Sequence, residues 1–121
     1  MKIVFATPEM VPYAKTGGLA DVCGALLKEL ALKEDVCAFL PRYRGISKKA
    51  VKKREKKIEF SLKIGQDEEL VSIELTKNLG FPVFFIDCPK YFDREYLYST
   101  PEGDYPDNDR RFILFNLAVL K

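Results

Sequence analysis

Histidine is missing from this 121-residue sequence altogether, and cysteine occurs only three times. Without histidine the commonest general base of enzymes is unavailable, so acid–base chemistry within the chain would depend on carboxylates, lysine or tyrosine. The cysteines, Cys23, Cys37 and Cys88, form no C-x-x-C pair. They therefore predict buried free thiols, and we expect no metal site.

Long apolar runs and a strong net charge are lacking too. No stretch approaches the ~18 apolar residues of a membrane span, and the apolar start is too short for a signal peptide. The formal net charge is only +2, which gives no general reason to bind nucleic acid or a membrane surface. We therefore expect neither partner, and the cytoplasm is the expected location.

One segment is strongly basic in spite of the balanced total. Residues 48–57 carry seven cations in ten positions, and such a run could bind a polyanion. No aromatic residue interrupts it, so a solvated helix or hairpin edge is the favoured interpretation.

The hydrophobic pattern at the start predicts a βαβ unit. Residues 2–7 and 35–40 are apolar runs that stop at Pro8 and Pro41, which is typical of buried strands in a parallel sheet. Between them, a glycine pair precedes an apolar stripe at helical spacing. The stripe consists of Leu19, Val22, Cys23, Leu26, Leu27 and Leu30.

The middle of the chain has a different period. Residues 58–64 and 71–76 alternate between apolar and polar side chains, and the turn at residues 65–68 predicts an antiparallel hairpin. Residues 83–86 return to a continuous apolar run, as in a central strand. The predicted fold class is α/β, with a Rossmann-like, doubly wound and mostly parallel sheet that includes this hairpin.

The last predicted element is a helix over residues 112–120, reached through a loop from Pro89 to about Asn108. This helix is apolar on almost every side and lacks a glycine cap. We therefore expect residues 1–121 to be a partial N-terminal domain of a longer protein.

The glycine turn is the strongest candidate binding element. Lys15, Gly17 and Gly18 lie between a strand and a helix, at the edge where open α/β sheets bind ligands. Glycines let backbone amides approach a ligand, the helix N-terminus favours an anion, and Lys15 adds a positive charge. The alternative is a tight turn with a solvated lysine. Asp21 either stabilises the helix dipole or orients a sugar hydroxyl or Lys15.

Two common nucleotide motifs are excluded. The glycines at 17, 18 and 24 do not fit G-x-G-x-x-G, and Arg42 follows the second strand in place of a ribose-binding acid. No Gly-Lys-Ser/Thr sequence of a Walker A loop is present. A nicotinamide enzyme is therefore a poor fit.

A group of acids precedes the last helix. Asp104, Asp107 and Asp109 could suggest a metal cluster, but N-cap and first-turn roles for residues 107–109 are favoured. Arg110 and Arg111 follow them, so local ion pairing is expected.

The segment YAKTGGLADV at residues 13–22, followed by Gly24, Ala25 and Leu26, resembles the signature of bacterial glycogen synthases and plant starch synthases. A second block supports the resemblance, and it is weakest over residues 47–80. The second block consists of Tyr91, Phe92, Asp93, Arg94, Tyr98, residues 104–108, Arg111 and Phe112.

The resemblance implies a GT-B-type retaining glucosyltransferase with two doubly wound domains across a cleft. Such enzymes transfer glucose from ADP-glucose, a substrate and not a cofactor, to the 4-hydroxyl of an α-1,4-glucan acceptor. It implies that Lys15, Gly17 and Gly18 contact the diphosphate and that Asp21 is a catalytic residue that positions the sugar. Tyr98 matches an acceptor-side aromatic, with ordinary loop packing as the alternative.

Other interpretations stay open. A related glycosyltransferase could use UDP-glucose or another acceptor, and a non-catalytic glucan- or nucleotide-binding module is a further alternative. The family's remaining catalytic groups, including a histidine, have no counterpart in this chain. We therefore expect these 121 residues alone to be inactive.

Overall fold

The computed structural model describes residues 1–46, 57–77 and 79–120. The elements in chain order are β1 (Lys2–Ala6), α1 (Gly18–Ala31), β2 (Asp35–Pro41), β3 (Lys57–Ile64), β4 (Asp67–Thr76), β5 (Val83–Asp87), α2 (Pro89–Phe92), β6 (Ser99–Thr100), β7 (Gly103–Asp104) and α3 (Asn108–Leu120). Apart from α2, β6 and β7, they follow the predicted order. Residues 47–56 lie outside the described part, so the interpretation of the basic run stays a prediction.

The main sheet has five strands in the order β1-β2-β5-β4-β3. β1, β2 and β5 pair in parallel, and β4 is antiparallel to both β5 and β3. Four strands therefore run in one direction, with β4 alone reversed. The hairpin turns at Gly65, whose φ of 60° is the left-handed conformation that glycine adopts most readily. The predicted fold class is confirmed.

Helices cover both faces of this sheet. Val36, Ala38 and Leu40 alternate along β2 and are buried on the face that packs against α1. Phe39 and Phe84 point to the other face, where their rings stack with centroids 4.9 Å apart. α3 packs against the hairpin strand β3 and against β5. The half-buried state of Phe39 and Phe84 shows that the second face is only partly covered.

The predicted buried stripe of α1 is only partly right. Cys23 and Leu27 are buried, but the helix also buries two small residues, Ala20 and Gly24. Three apolar residues of the predicted stripe lie at the surface instead, namely Leu19, Val22 and Leu26. The small residues let the helix lie close to the neighbouring loop. A Cβ on Gly24 would overlap Val11 Cγ2 and lie 3.1 Å from the Val11 carbonyl oxygen, so a larger residue does not fit at that position without a shift.

α3 begins earlier and is less apolar than predicted. It starts at Asn108, and its buried side chains are Arg111, Leu114, Phe115 and Ala118. Ile113 and Leu117 are exposed. The preceding loop contains the short helix α2 and the two-stranded β6–β7 sheet, neither of which the sequence predicted.

The thiols largely follow the prediction. All three cysteines are free, with Cys23 and Cys88 buried and Cys37 half-buried. Among the described residues, no helix has the length and apolar content needed to cross a membrane.

Candidate functional site

The carboxyl ends of the three parallel strands deliver the segments that form the site. β1 leads into residues 7–17, β2 into residues 42–46, and β5 into α2 and residues 93–99. Open α/β sheets bind ligands at this edge because successive connections leave a crevice there. Two adjoining cavities lie between these segments.

The larger cavity has a volume of about 460 Å³ and is lined by residues 15–16 and 95–99. A smaller cavity of about 200 Å³ lies between Lys15, Tyr13 and Tyr43. Lys15 lines both. We call the larger one the main cavity.

The loop that carries Lys15 is held by its own backbone. Met10 and Ala14 form a β-bridge, with Met10 N donating to Ala14 O at 2.9 Å. Met10 and Tyr13 are buried beneath the loop, and Tyr13 packs edge-on against Phe85 of β5. These anchors hold the backbone in place, so that Lys15 projects from an ordered loop.

Lys15 and Asp21 form an exposed ion pair across the glycine turn. Lys15 Nζ lies 2.7 Å from Asp21 Oδ2, and the two side chains are 53% and 55% exposed. Asp21 lies in the first turn of α1, as predicted. A pair with this exposure contributes only about 0–1 kcal/mol to stability, so it can exchange partners at little cost.

The glycine pair shows no internal steric reason for being glycine. A Cβ added at Gly17 or Gly18 would meet nothing within 4 Å, and neither residue has a positive φ. Gly17 is the N-cap of α1, with extended backbone and no side-chain cap. The space beside both residues is open, as the approach of a ligand to the backbone requires.

Glu9 is the central residue that the sequence did not reveal. It is only 2% exposed. Its Oε2 accepts hydrogen bonds from Thr16 Oγ1 and from the Tyr98 hydroxyl, both at 2.7 Å. Its Oε1 accepts from the Ala20 backbone N–H at 3.1 Å. The carboxylate thus caps α1 from a distance and links the glycine turn to residues 95–99.

Burial by itself would raise the pKa of Glu9, because it disfavours the charged form. The hydrogen bonds outweigh burial and hold the pKa below its ordinary value, with Thr16 and Tyr98 ahead of the backbone amides. Burial and the bond to Glu9 raise the pKa of Tyr98. Tyr98 therefore stays protonated, and its hydroxyl donates a hydrogen bond to the ionised carboxylate of Glu9.

Tyr98 lines the main cavity and packs within the loop at the same time. Its ring lies tilted against Phe112 with centroids 5.9 Å apart. Asn108 Nδ2 donates to the Tyr98 carbonyl oxygen at 2.9 Å. The predicted loop packing is therefore present, and Tyr98 also lines the main cavity. Its assignment as an acceptor-side aromatic stays a prediction.

A second ion pair fixes the loop beside the smaller cavity, which Arg94 helps to line. The Arg94 guanidinium donates two hydrogen bonds of 2.6 Å to Asp107, with side chains 21% and 30% exposed. Arg94 Cζ also lies 4.8 Å from the centroid of the Tyr105 ring. The bond to Arg94 holds the pKa of Asp107 below its ordinary value.

The expected local pairing of the acids and arginines near α3 is wrong for most members. Asp107 precedes α3, but its carboxylate binds Arg94. Arg110 binds Asp67 of the hairpin at 2.6 Å. Arg111 is fully buried and donates to the Tyr91 carbonyl oxygen at 2.6 Å. Burial lowers its pKa. The predicted positions of residues 107–109 are nevertheless found, since Asp107 lies directly before α3 and Asn108 and Asp109 lie in its first turn. Arg111 Nη1 also donates to Asn108 Oδ1 at 2.8 Å within this turn.

Asp104 is exposed and lies in β7. In the described part of the chain, no three acidic, histidine or cysteine side chains are grouped as metal ligands. Arg42, which stands where a dinucleotide enzyme has its ribose acid, donates to the Ile46 carbonyl oxygen at 2.5 Å and so shapes the β2 connection.

Of the predicted site residues, Lys15 and Tyr98 line the main cavity. Gly17 and Gly18 directly follow Thr16, which lines it too, and Asp21 is connected to it through the ion pair with Lys15. Glu9 was missed because nothing in its spacing indicates a role, and Arg94 was named only as part of the second family block, without a role. The Glu9–Tyr98 bond joins residues 89 positions apart, and only the folded chain shows it.

An open α/β domain with a basic glycine turn and an aromatic residue at its strand ends is typical of domains that bind phosphorylated ligands. The comparisons are more specific. This chain belongs to the starch synthase catalytic domain family, whose model matches residues 2–121.

Similar proteins include glycogen synthases of several bacteria. The chain is 48% identical to that of Elusimicrobium minutum and 42% identical to that of Koribacter versatilis, covering 100% of this chain and 25% of each relative. The catalytic domain of starch synthase IV from Arabidopsis thaliana, solved with ADP and acarbose bound, superposes with a TM-score of 0.76. It is 28% identical, over 98% of this chain and 24% of that one. The chain thus spans about a quarter of the length of these relatives.

Proposed function

We propose that this chain is the N-terminal, acceptor-side part of an α-glucan synthase that transfers glucose from ADP-glucose to the 4-hydroxyl of an α-1,4-glucan. The observation that carries the proposal is that Lys15 and Tyr98 line one cavity, with the open glycine pair directly after Thr16 at its edge. Family membership supports it, as does the ADP and acarbose held by the similar starch synthase.

In this proposal the glycine turn binds the diphosphate of the donor. An incoming diphosphate attracts the Lys15 ammonium away from Asp21, since a phosphate carries more charge than one carboxylate. Asp21 is then free to accept a hydrogen bond from a sugar hydroxyl. Retaining transfer develops positive charge on the sugar and negative charge on the leaving diphosphate, and fixed charges stabilise both.

Tyr98 forms the acceptor side of the main cavity. Its hydroxyl is held by Glu9, so the ring presents a fixed apolar surface suited to the apolar face of a sugar. The other side of the cleft, including the groups that recognise the donor base, would come from a second α/β domain in a GT-B arrangement.

The proposal places the enzyme in the cytoplasm and includes no cofactor or metal. Lys15 and the backbone amides of the glycine turn would neutralise the negative charge of the diphosphate, which a metal ion does in other nucleotide enzymes. Transfer should therefore be unaffected by a chelator such as EDTA.

The experiment is glucosyl transfer to a maltooligosaccharide by the natural-length polypeptide, with ADP-glucose and UDP-glucose compared. We expect a preference for ADP-glucose and a loss of about 100-fold in kcat/KM for Lys15→Ala, as for the removal of one group that stabilises the transition state. Lys33→Ala, which removes an exposed lysine beyond the end of α1, is the matched control.

A preference for UDP-glucose would shift the assignment to a related glycosyltransferase. Binding of a maltooligosaccharide or of ADP without transfer from either donor would instead indicate a non-catalytic module.

A further inference from the structure

The two sides of the main cavity are joined by a single carboxylate oxygen. Thr16 belongs to the glycine turn and Tyr98 to the opposite side, and both line the cavity. Each donates a 2.7 Å hydrogen bond to Glu9 Oε2. The width of the cavity at this point is therefore determined by one buried side chain.

Glu9 is itself fixed within the fold. It lies in the loop after β1, its other oxygen binds the Ala20 N–H of α1, and its backbone carbonyl accepts from Thr7 Oγ1 at 2.9 Å. A carboxylate held in this way and 2% exposed has little freedom to follow movements of either side. Glu9 therefore holds Thr16 and Tyr98 at fixed positions relative to the sheet.

We infer that Glu9 is a positioning residue, which holds the Lys15 turn and Tyr98 at the separation that the transfer requires. The inference rests on the proposed function, because it concerns the alignment of donor and acceptor. Misplacement of reacting groups by about 1 Å can lower a rate by roughly 100-fold. The link between Thr16 and Tyr98 prevents such a displacement.

The inference differs from a purely structural role for the carboxylate. If Glu9 only capped α1, its loss would lower stability and leave the kinetics of the folded enzyme unchanged. If it positions the two sides, its loss lowers kcat and changes KM for the donor much less, because Lys15 still attracts the diphosphate.

The test uses Glu9→Ala in the natural-length polypeptide, because a glutamine could still accept from both Thr16 and Tyr98 through its amide oxygen. We expect kcat for transfer from ADP-glucose to fall at least about 10-fold at temperatures well below the Tm. Glu69→Ala is the matched control. Glu69 has a side chain only 12% exposed and accepts from the Tyr91 hydroxyl at 3.4 Å, away from the main cavity. It should leave kcat within about twofold of wild type.

Should Glu9→Ala not fold, Thr16→Val and Tyr98→Phe each remove one of the two bonds to Oε2. A double-mutant cycle then decides. Coupled effects on kcat support the inference, whereas additive effects overturn it. A folded Glu9→Ala enzyme with wild-type kcat would overturn it too. Absence of transfer by the wild type would instead overturn the proposed function, and the inference with it.

Discussion

The domain contains two short ion pairs whose surroundings could hardly differ more. Lys15 and Asp21 lie 2.7 Å apart with both side chains about half exposed. Arg94 and Asp107 lie 2.6 Å apart, are mostly buried and make two parallel hydrogen bonds. The first pair can exchange its partner for a ligand, whereas the second holds a loop in place. The N···O distance alone does not distinguish the two pairs, but the exposure of the side chains and the number of hydrogen bonds do.

The chemistry of the two cations follows the same division. Lysine is a flexible point charge that is readily redirected, whereas the planar guanidinium of Arg94 matches the carboxylate of Asp107 and lies against the Tyr105 ring. The variants below separate the two kinds of pair, beginning with the largest expected effect.

Asp21→Asn should impair function without impairing the fold. It removes the charge that holds Lys15 and the acceptor proposed for a sugar hydroxyl, so we expect kcat/KM to fall about 100-fold. The free energy of unfolding should change by no more than about 1 kcal/mol, because the pair is exposed and the first-turn charge effect is small. Kinetics and urea unfolding on the same preparation provide both numbers. A loss of several kcal/mol would contradict the comparison.

Arg94→Ala should do the reverse. It leaves the Asp107 carboxylate partly buried without its main partner, and we expect a loss of about 2 kcal/mol of unfolding free energy. Arg94→Lys should recover less than half of this, because an ammonium cannot reproduce the two parallel bonds. The measurement is chemical unfolding of both variants. Equal stability of the two would mean that only the charge matters.

Two glycine substitutions extend the comparison to the backbone. Gly24→Ala forces a Cβ against Val11, so we expect a net loss of about 1 kcal/mol even after the better helix propensity of alanine. Gly18→Ala meets nothing within 4 Å and should leave stability unchanged or slightly higher, while it lowers transfer. Thermal unfolding and transfer rates distinguish them. A destabilised Gly18→Ala would show an internal role for that glycine.

The smallest expected effect is in the pH dependence of stability. The pKa of Asp107 is lowered in the folded state, so its pairing contributes fully above the unfolded value of about 4 and is lost as the pH falls through the folded value. We expect about 1 kcal/mol of the acid-induced loss to disappear in Arg94→Ala. Unfolding free energies between about pH 5 and pH 2 measure this difference. Identical slopes for wild type and variant would contradict it.

Much of the fold could be predicted because strands and hairpins leave a direct trace in the sequence. The alternation of residues 58–64 and 71–76 and the runs at residues 2–7 and 35–40 all correspond to strands. The buried face of α1 could not be predicted in the same way. Hydrophobicity favours Leu19 and Val22, but the neighbouring loop approaches the helix so closely that a Cβ at Gly24 would meet Val11, and the helix buries Ala20 and Gly24 there.

The site divides along similar lines. Lys15, Gly17, Gly18 and Asp21 are neighbours in sequence, so local spacing and the family signature together indicated them. Glu9 acquires its place only through partners that folding brings to it, above all Tyr98. A buried glutamate in a loop has no periodicity from which its burial could be inferred. The catalytic and binding roles of these site residues are predictions that the variants above test.

The origin of the two cavities in three separate strands has a consequence for how sequence variation in this domain should be interpreted. Because β1, β2 and β5 carry the segments that border them, the cavities change whenever one strand moves relative to its neighbour. A substitution that alters strand pairing can therefore impair the proposed transfer from a position far from any ligand. In a genetic screen, loss-of-function variants would cluster in the buried strands as well as around the cavity, and distance from the ligand would be a poor guide to their severity.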